Sequence, residues 1–150
     1  GKKMIHTGDT GTQWGISKEE LMERISESAK ATADHFGDHI AYINVLRNMS
    51  VSCDCEGTAA QPVVTPNIGI LASTDILAAD QASVDLVYAL PEKYRHDLVE
   101  RMETRHGLRQ LSYMKELGMG CDRYVILDMD HGDTPITLAE AVKNVKPFKA

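Results

Sequence analysis

The residues of this 150-residue chain best suited to chemistry are two cysteines one position apart, Cys53-Asp54-Cys55. Two thiolates at that spacing in a loop can both turn toward one soft or borderline cation, iron or zinc, or act as a redox pair. A tetrahedral centre takes about four donors. Further ligands must therefore converge on the loop, and His6, just after the apolar pair Met4-Ile5, is the imidazole read as joining the thiols. Cys121, in Gly118-Met119-Gly120-Cys121-Asp122, joins them only if its turn folds onto the loop, and a half-buried thiol is the plainer expectation for it. For Cys53 and Cys55 the plainer alternative is two small residues beside a turn. A disulfide between them would close a small and strained ring.

Carboxylates around such a centre orient its ligands through hydrogen bonds, and three are candidates: Asp54 between the thiols, Asp75 and Asp80. Asp75, in Ser73-Thr74-Asp75, has a sufficient role as a helix cap. Asp80 shares a helical stripe with Ile76, Val84 and Val87, which sets a charge among apolar neighbours. Left unpaired there it would be costly or forced neutral, so a bond to a backbone donor or a serine, tying the helix to a loop, is expected. His35 and His39 straddle Gly37 at a predicted helix end, where a cation is favourable. His96, His106 and His131 lie in polar surroundings and support no site. The Gly-rich run 8–15 lacks Gly-Lys-Ser/Thr, and neither a Gly-x-Ser-x-Gly elbow nor a His-Glu-x-x-His pair occurs.

These residues need a scaffold. Ser17-Lys18-Glu19-Glu20 has the form of a capping box, and Leu21, Ile25, Ala29, Ala33 and Phe36 follow near the helical period until Gly37, which predicts an amphipathic helix over 17–36. The β-branched and aromatic run 40–46 and the run 68–71 predict buried strands. Between them, the long loop 50–67 carries both close-set cysteines with Gly57, Pro62 and Pro66. Loops of that length are commonly functional. Helices are predicted over 76–90, 92–105 and 108–117, punctuated by Pro91, Gly107 and Gly118, then a strand over 123–127. The stretch 143–149 reads as a tail. Strands alternating with helices predict an α/β class, with a mostly parallel or mixed sheet flanked by helices.

Composition bounds what the scaffold can do. At 43% apolar and 25% charged, the chain makes one compact domain, long enough to bury roughly 70% of the surface its unfolded form exposes. Sixteen Lys and Arg against 22 Asp and Glu leave a net charge of −6, which disfavours nucleic acid and anionic membrane surfaces as partners. No apolar run approaches the roughly 20 residues that span a bilayer. Three cysteines do not form the disulfide framework of a secreted domain. With no signal-peptide pattern at its opening residues, the chain is expected in a reducing cytoplasm.

Taken in order, Tyr42-Ile43-Asn44-Val45, Cys53-Asp54-Cys55, the block from Ile68-Gly69-Ile70 to Ser73-Thr74-Asp75, and Asp80-Gln81-Ala82-Ser83 resemble the uncharacterised iron-sulfur-centre proteins, domain of unknown function 362. The segment 107–124, with Leu111, Leu117-Gly118-Met119-Gly120 and Tyr124, is similar to that family's closing helix and strand. Residues 1–7 look like the form that lacks the inserted ferredoxin module. The resemblance covers 1–128 and leaves 129–150 as a C-terminal extension. It implies that the chain is the C-terminal part of a longer domain, whose upstream portion supplies further strands. It also implies that the Cys53 to Cys55 block, His6 and the Asp75/Asp80 helix start match the family pattern in type and order. The Cys-x-x-Cys-x-x-Cys clusters that hold iron-sulfur centres in the ferredoxin-bearing relatives are absent here, so an iron or zinc ion is expected in preference to a cluster. Two departures stand out: Asp75-Ile76-Leu77-Ala78 replaces Asp-Pro-Val-Ala, and Asn67 stands where Asp is usual.

The reading that follows is an α/β domain binding iron or zinc through Cys53, Cys55 and His6, with Asp54, Asp75 and Asp80 hydrogen-bonding around them. A redox version passes electrons to a partner; a structural version only fixes the loop. No enzyme class follows from either. The rival reading is a metal-free interaction or assembly module whose cysteine loop packs on the upstream portion of the domain or on a second subunit, with a homodimer formed at an open sheet edge. A thiol oxidoreductase ranks below both, for want of a Cys-x-x-Cys before a helix.

Overall fold

The computed structural model describes residues 16–51 and 62–147. The first element, α1 (Lys18–Phe36), starts as predicted: the Ser17 hydroxyl accepts from the Glu20 amide at 3.1 Å. It stops at Gly37, whose φ of 55° suits glycine and whose N–H reaches the Ala33 carbonyl. Strands β1 (Tyr42–Leu46) and β2 (Gly69–Ser73) follow, then α2 (Ile76–Ala89), α3 (Glu92–Thr104) and α4 (Arg109–Glu116). Pro91 separates α2 from α3, as its missing N–H and fixed φ dictate. A short hairpin, β3 (Ile126–Asp128) and β4 (Thr134–Ile136), turns through a 3₁₀ segment at Met129–His131. The last helix, α5 (Leu138–Val142), opens on a full capping box between Thr137 and Glu140.

The α/β class is borne out, but the strand directions are not those expected. Both ladders are antiparallel and two-stranded: Tyr42 lies opposite Ser73 and Leu46 opposite Gly69, while Ile126 lies opposite Ile136. A parallel pair needs a crossover that carries the chain back to the starting end. Here the chain leaves β1 and re-enters β2 at the same end, closed by Ile68 N–H donating to the Leu46 carbonyl at 2.8 Å. The strand predicted over 123–127 is shifted to Ile126–Asp128, because only three residues have a partner and one of those partners, Pro135, has no N–H to give.

The core is built around α2, which buries Leu77, Ala79, Ala82, Leu86 and Val87. A helix apolar on so much of its surface is stable only when wrapped on several sides. Leu86 and Leu90 cluster with Leu46 from β1 and Val142 from α5, and Ile68, Leu71 and Ile126 pack around them. The segment read as a tail contributes too, since Val145 packs against the same cluster. Alternation along β1 turns Leu46 into the core and Ile43 and Val45 away from it. The strands are therefore buried on one face only: Ile43, Val45 and Ile70 remain 65%, 57% and 68% exposed.

Because Leu77 is fully buried and Ile43 is not, Leu77→Ala should lower unfolding stability by about 2–5 kcal/mol, and Ile43→Ala by about 0.5 kcal/mol or less. Urea titration at unchanged m-value reads both. Equal losses would contradict the one-sided core.

Candidate functional site

Cys53, Asp54, Cys55 and His6 lie outside the described residues, whereas the base of the loop that carries the thiols lies within them. Past Leu46 the chain turns through Asn48, at a positive φ of 51°. The Asn48 amide donates to the Asn67 side-chain carbonyl at 2.8 Å. Thr65 and Pro66 are fully buried and Met49 packs on the core cluster. Both limbs of the excursion are thus tied at one neck. Asn67, where the resemblance leads one to expect Asp, accepts a backbone hydrogen bond that a carboxylate would accept equally well.

Asp75 lies beyond the opposite end of the β1–β2 ladder from the neck, and the ladder alone is about 13 Å long for strands rising ~3.3 Å per residue. One carboxylate oxygen caps α2 through the Ala78 amide at 2.9 Å, and the other accepts from the Cys121 amide at 2.8 Å. The cap was legible from Ser73-Thr74-Asp75; the second bond was not, since it joins residues 46 positions apart. Gly120 makes the clamp sterically feasible, because a Cβ there would fall 2.0 Å from the Asp75 oxygen. Cys121 itself is exposed, not half-buried: the fold engages its backbone, and its sulfur accepts from the Arg123 amide at 3.4 Å.

Asp80 is half-buried on the flank of α2 and solves its burial through β1. The Asn44 amide nitrogen donates to Asp80 at 2.8 Å and to the Ser83 hydroxyl at 2.9 Å, while that hydroxyl donates to the Ala79 carbonyl. The helix is therefore tied to a strand and not to a loop. Strand alternation places Asn44 on the same face as Leu46, the signal in the sequence that marks it as a partner for a polar group on α2.

A groove of about 500 Å³ runs between α2 and α4, with Val84 and Leu111 among its apolar lining and Gln81, Asp85, Lys115 and Asp122 among its polar lining. Its polar groups are engaged. Asp85 accepts from Gln81 at 2.9 Å and from the Tyr124 hydroxyl at 2.5 Å. Burial, reinforced by that bond, pushes the Tyr124 hydroxyl well above the usual tyrosine range. The Lys115 ammonium, 2.6 Å from Asp122, holds that carboxyl below its usual range. His96, His106 and His131 each pair with a carboxylate, from Asp97, Glu19 and Asp128. Among the described residues no group of three or more His, Cys, Asp or Glu is arranged to hold a metal ion, and no helix is long and apolar enough to cross a membrane.

The Asp75 clamp separates two substitutions. Asp75→Ala should lose about 1–2 kcal/mol through the cap and expose both the Ala78 and Cys121 amides to hydrogen exchange. Asp75→Asn retains an oxygen for Ala78 but turns an amide donor toward Cys121, so only the Cys121 amide should exchange faster. Equal protection of the Cys121 amide in Asp75→Asn and the native chain would contradict the clamp.

A family model described as domain of unknown function (DUF362) matches residues 1–85, a stretch that takes in α1, β1, β2 and the first ten residues of α2. No curated protein and no solved structure matches the chain. Because the matched segment is more than half of the 150 residues, the chain belongs to the DUF362 family.

Proposed function

We propose that this chain is a metal-binding protein that holds an iron or zinc ion through Cys53 and Cys55, with His6 as a further ligand. The observation that carries the reading is the Cys53-Asp54-Cys55 triplet on an excursion whose limbs are joined at the neck by Asn48 and Asn67. Tying the limbs beforehand lowers the entropy lost when two thiolates converge on one ion. Asp54 hydrogen-bonds the ligands. Asp75 and Asp80 act at one remove, by fixing α2 and β1, the strand from which the loop departs.

The resemblance to iron-sulfur-centre proteins favours iron and an electron-transfer partner; zinc in the same ligands gives a structural site. Thiolate ligands fit a reducing compartment, the cytoplasm. The chain then acts as the C-terminal portion of a longer domain. No reaction is assigned to it.

A second reading, a metal-free assembly module, is favoured by the bare outer face of the β1–β2 sheet. Ile43, Val45 and Ile70 there, together with Val125, Leu127 and Met129 on and beside β3, are each more than half exposed, and apolar surface on this scale is characteristic of contact sites. Its occupant would be the upstream portion of the domain or a second copy of the chain.

Purification without added metal, under anaerobic conditions, followed by elemental analysis separates the two readings. The expected result is stoichiometric iron or zinc, abolished by combined Cys53→Ser and Cys55→Ser and reduced by His6→Ala; a wild-type chain free of both metals contradicts the proposal. For the second reading, a dimer that Ile43→Glu with Ile70→Glu converts to monomer is expected in sedimentation. A wild-type chain monomeric at every concentration rules out a second copy as the occupant.

A further inference from the structure

Among the described residues, α1 buries no apolar side chain fully: Leu21, Met22, Ala29 and Ala33 are half-buried, and its side-chain bonds to the rest of the molecule are polar. Of its 19 residues Ser26 alone is buried, and Ile25 and Phe36 are 44% and 48% exposed. Its principal neighbour is α4, which in turn packs on α2. Arg109 of α4 binds Glu23 of α1 and is itself braced by Glu116 at 2.6 Å. Tyr113 donates to Glu27 at 3.1 Å, Ser26 reaches the Gln110 carbonyl at 3.4 Å, and Lys18 donates to the Thr104 carbonyl at 3.0 Å. The Glu19 carboxylate pairs with His106 in the turn between α3 and α4.

We infer that α1 is a releasable strap, which leaves α4 as a unit while the α2 core stays folded, with ionic strength setting how often it opens. The Glu19–His106 pair is exposed and the Glu23–Arg109 pair is 28% and 26% exposed; ion pairs that water reaches are individually weak and are screened by salt, the half-buried one less than the exposed one, whereas the apolar contacts of Leu77 and Leu86 do not depend on charge. Regions held by few buried apolar contacts open sub-globally, ahead of the core. The break falls between α1 and α4 because the features that shape α1 are local: its caps at Ser17 and Gly37, and the Glu20–Arg24 and Lys30–Asp34 pairs one turn apart. Undocking uncovers the Gln110 and Tyr113 face of α4.

The test uses the full chain carrying Ser26→Cys, with alkylation at position 26 read by peptide mass spectrometry and Ala82→Cys in α2 as the reference for core opening. Between ~0.1 M and ~1 M salt the screening length falls from about 10 Å to about 3 Å. Labelling at position 26 should rise roughly three- to tenfold over that range, and by a similar factor when Arg109→Gln is added at low salt, while position 82 stays protected. Labelling at position 26 that ignores both changes, or that rises in step with position 82, overturns the inference. Should either cysteine variant fail to fold, hydrogen exchange on the wild-type chain decides: the amides of α1 must exchange faster in salt while those of α2 do not, because a detached helix of this length is marginal in water.

Discussion

The helix Ile76–Ala89 places Leu77, Ala79, Ala82, Leu86 and Val87 in the interior, and in the same few turns it carries Asp75 at its cap, Asp80, Ser83 and Asp85. Polar groups that approach the interior must find partners or be left at a penalty. Each finds its partner on a different part of the chain: Asp75 at Cys121, Asp80 and Ser83 at Asn44, Asp85 at Tyr124. Among the described residues no buried side-chain nitrogen or oxygen lacks a partner. The apolar positions supply the driving force for wrapping this helix, and the polar ones set the register of what wraps it. Strand β1, the loop after α4 and the approach to β3 are all positioned in this way.

Two properties follow. First, the sheet is covered by helix on one side, so alternation along β1 and β2 sends Ile43, Val45 and Ile70 to the other. Second, the long excursion between the strands leaves and re-enters at one end of the ladder, where Asn48 and Asn67 join its limbs. The described residues on either side of the cysteine pair are therefore fixed to each other, with Thr65 and Pro66 buried and Met49 packed on the core. Asp75 and Cys121 occupy the other end of the same ladder. There both carboxylate oxygens of Asp75 are taken up by backbone donors, the Ala78 and Cys121 amides.

What was legible in the sequence was local. Ser17 and Gly37 bound α1, Asp75 caps α2 and Pro91 parts α2 from α3, because caps and breakers act within one turn. Helical period placed Asp80 on a stripe with Ile76, Val84 and Val87, of which Val87 alone is buried; the stripe is the flank of α2, and Leu77, Ala79, Ala82 and Leu86 make up the rest of the buried side. Relations between distant segments were hidden. Nothing in the Ile68 run distinguishes an antiparallel from a parallel neighbour, and nothing in Gly120 announces that a carboxylate 45 positions away needs its space. The share that Val145 takes in the core was equally unmarked, since the Lys-rich stretch 143–149, broken by Pro147, looks like a tail until something packs on it. The blocks at 42–45, 53–55, 68–75 and 80–83 on which the resemblance to DUF362 was read fall within the matched residues 1–85, and the segment 107–124 falls outside them.

If the sulfurs of Cys53 and Cys55 share one ion, as proposed, X-ray absorption at the iron and zinc edges of the purified chain sees them from the ion. Two sulfur scatterers at about 2.3 Å are expected, with nitrogen at about 2.0–2.1 Å for an imidazole at a zinc centre. A first shell of oxygen and nitrogen alone, unchanged when both cysteines are replaced by serine, would contradict the proposal.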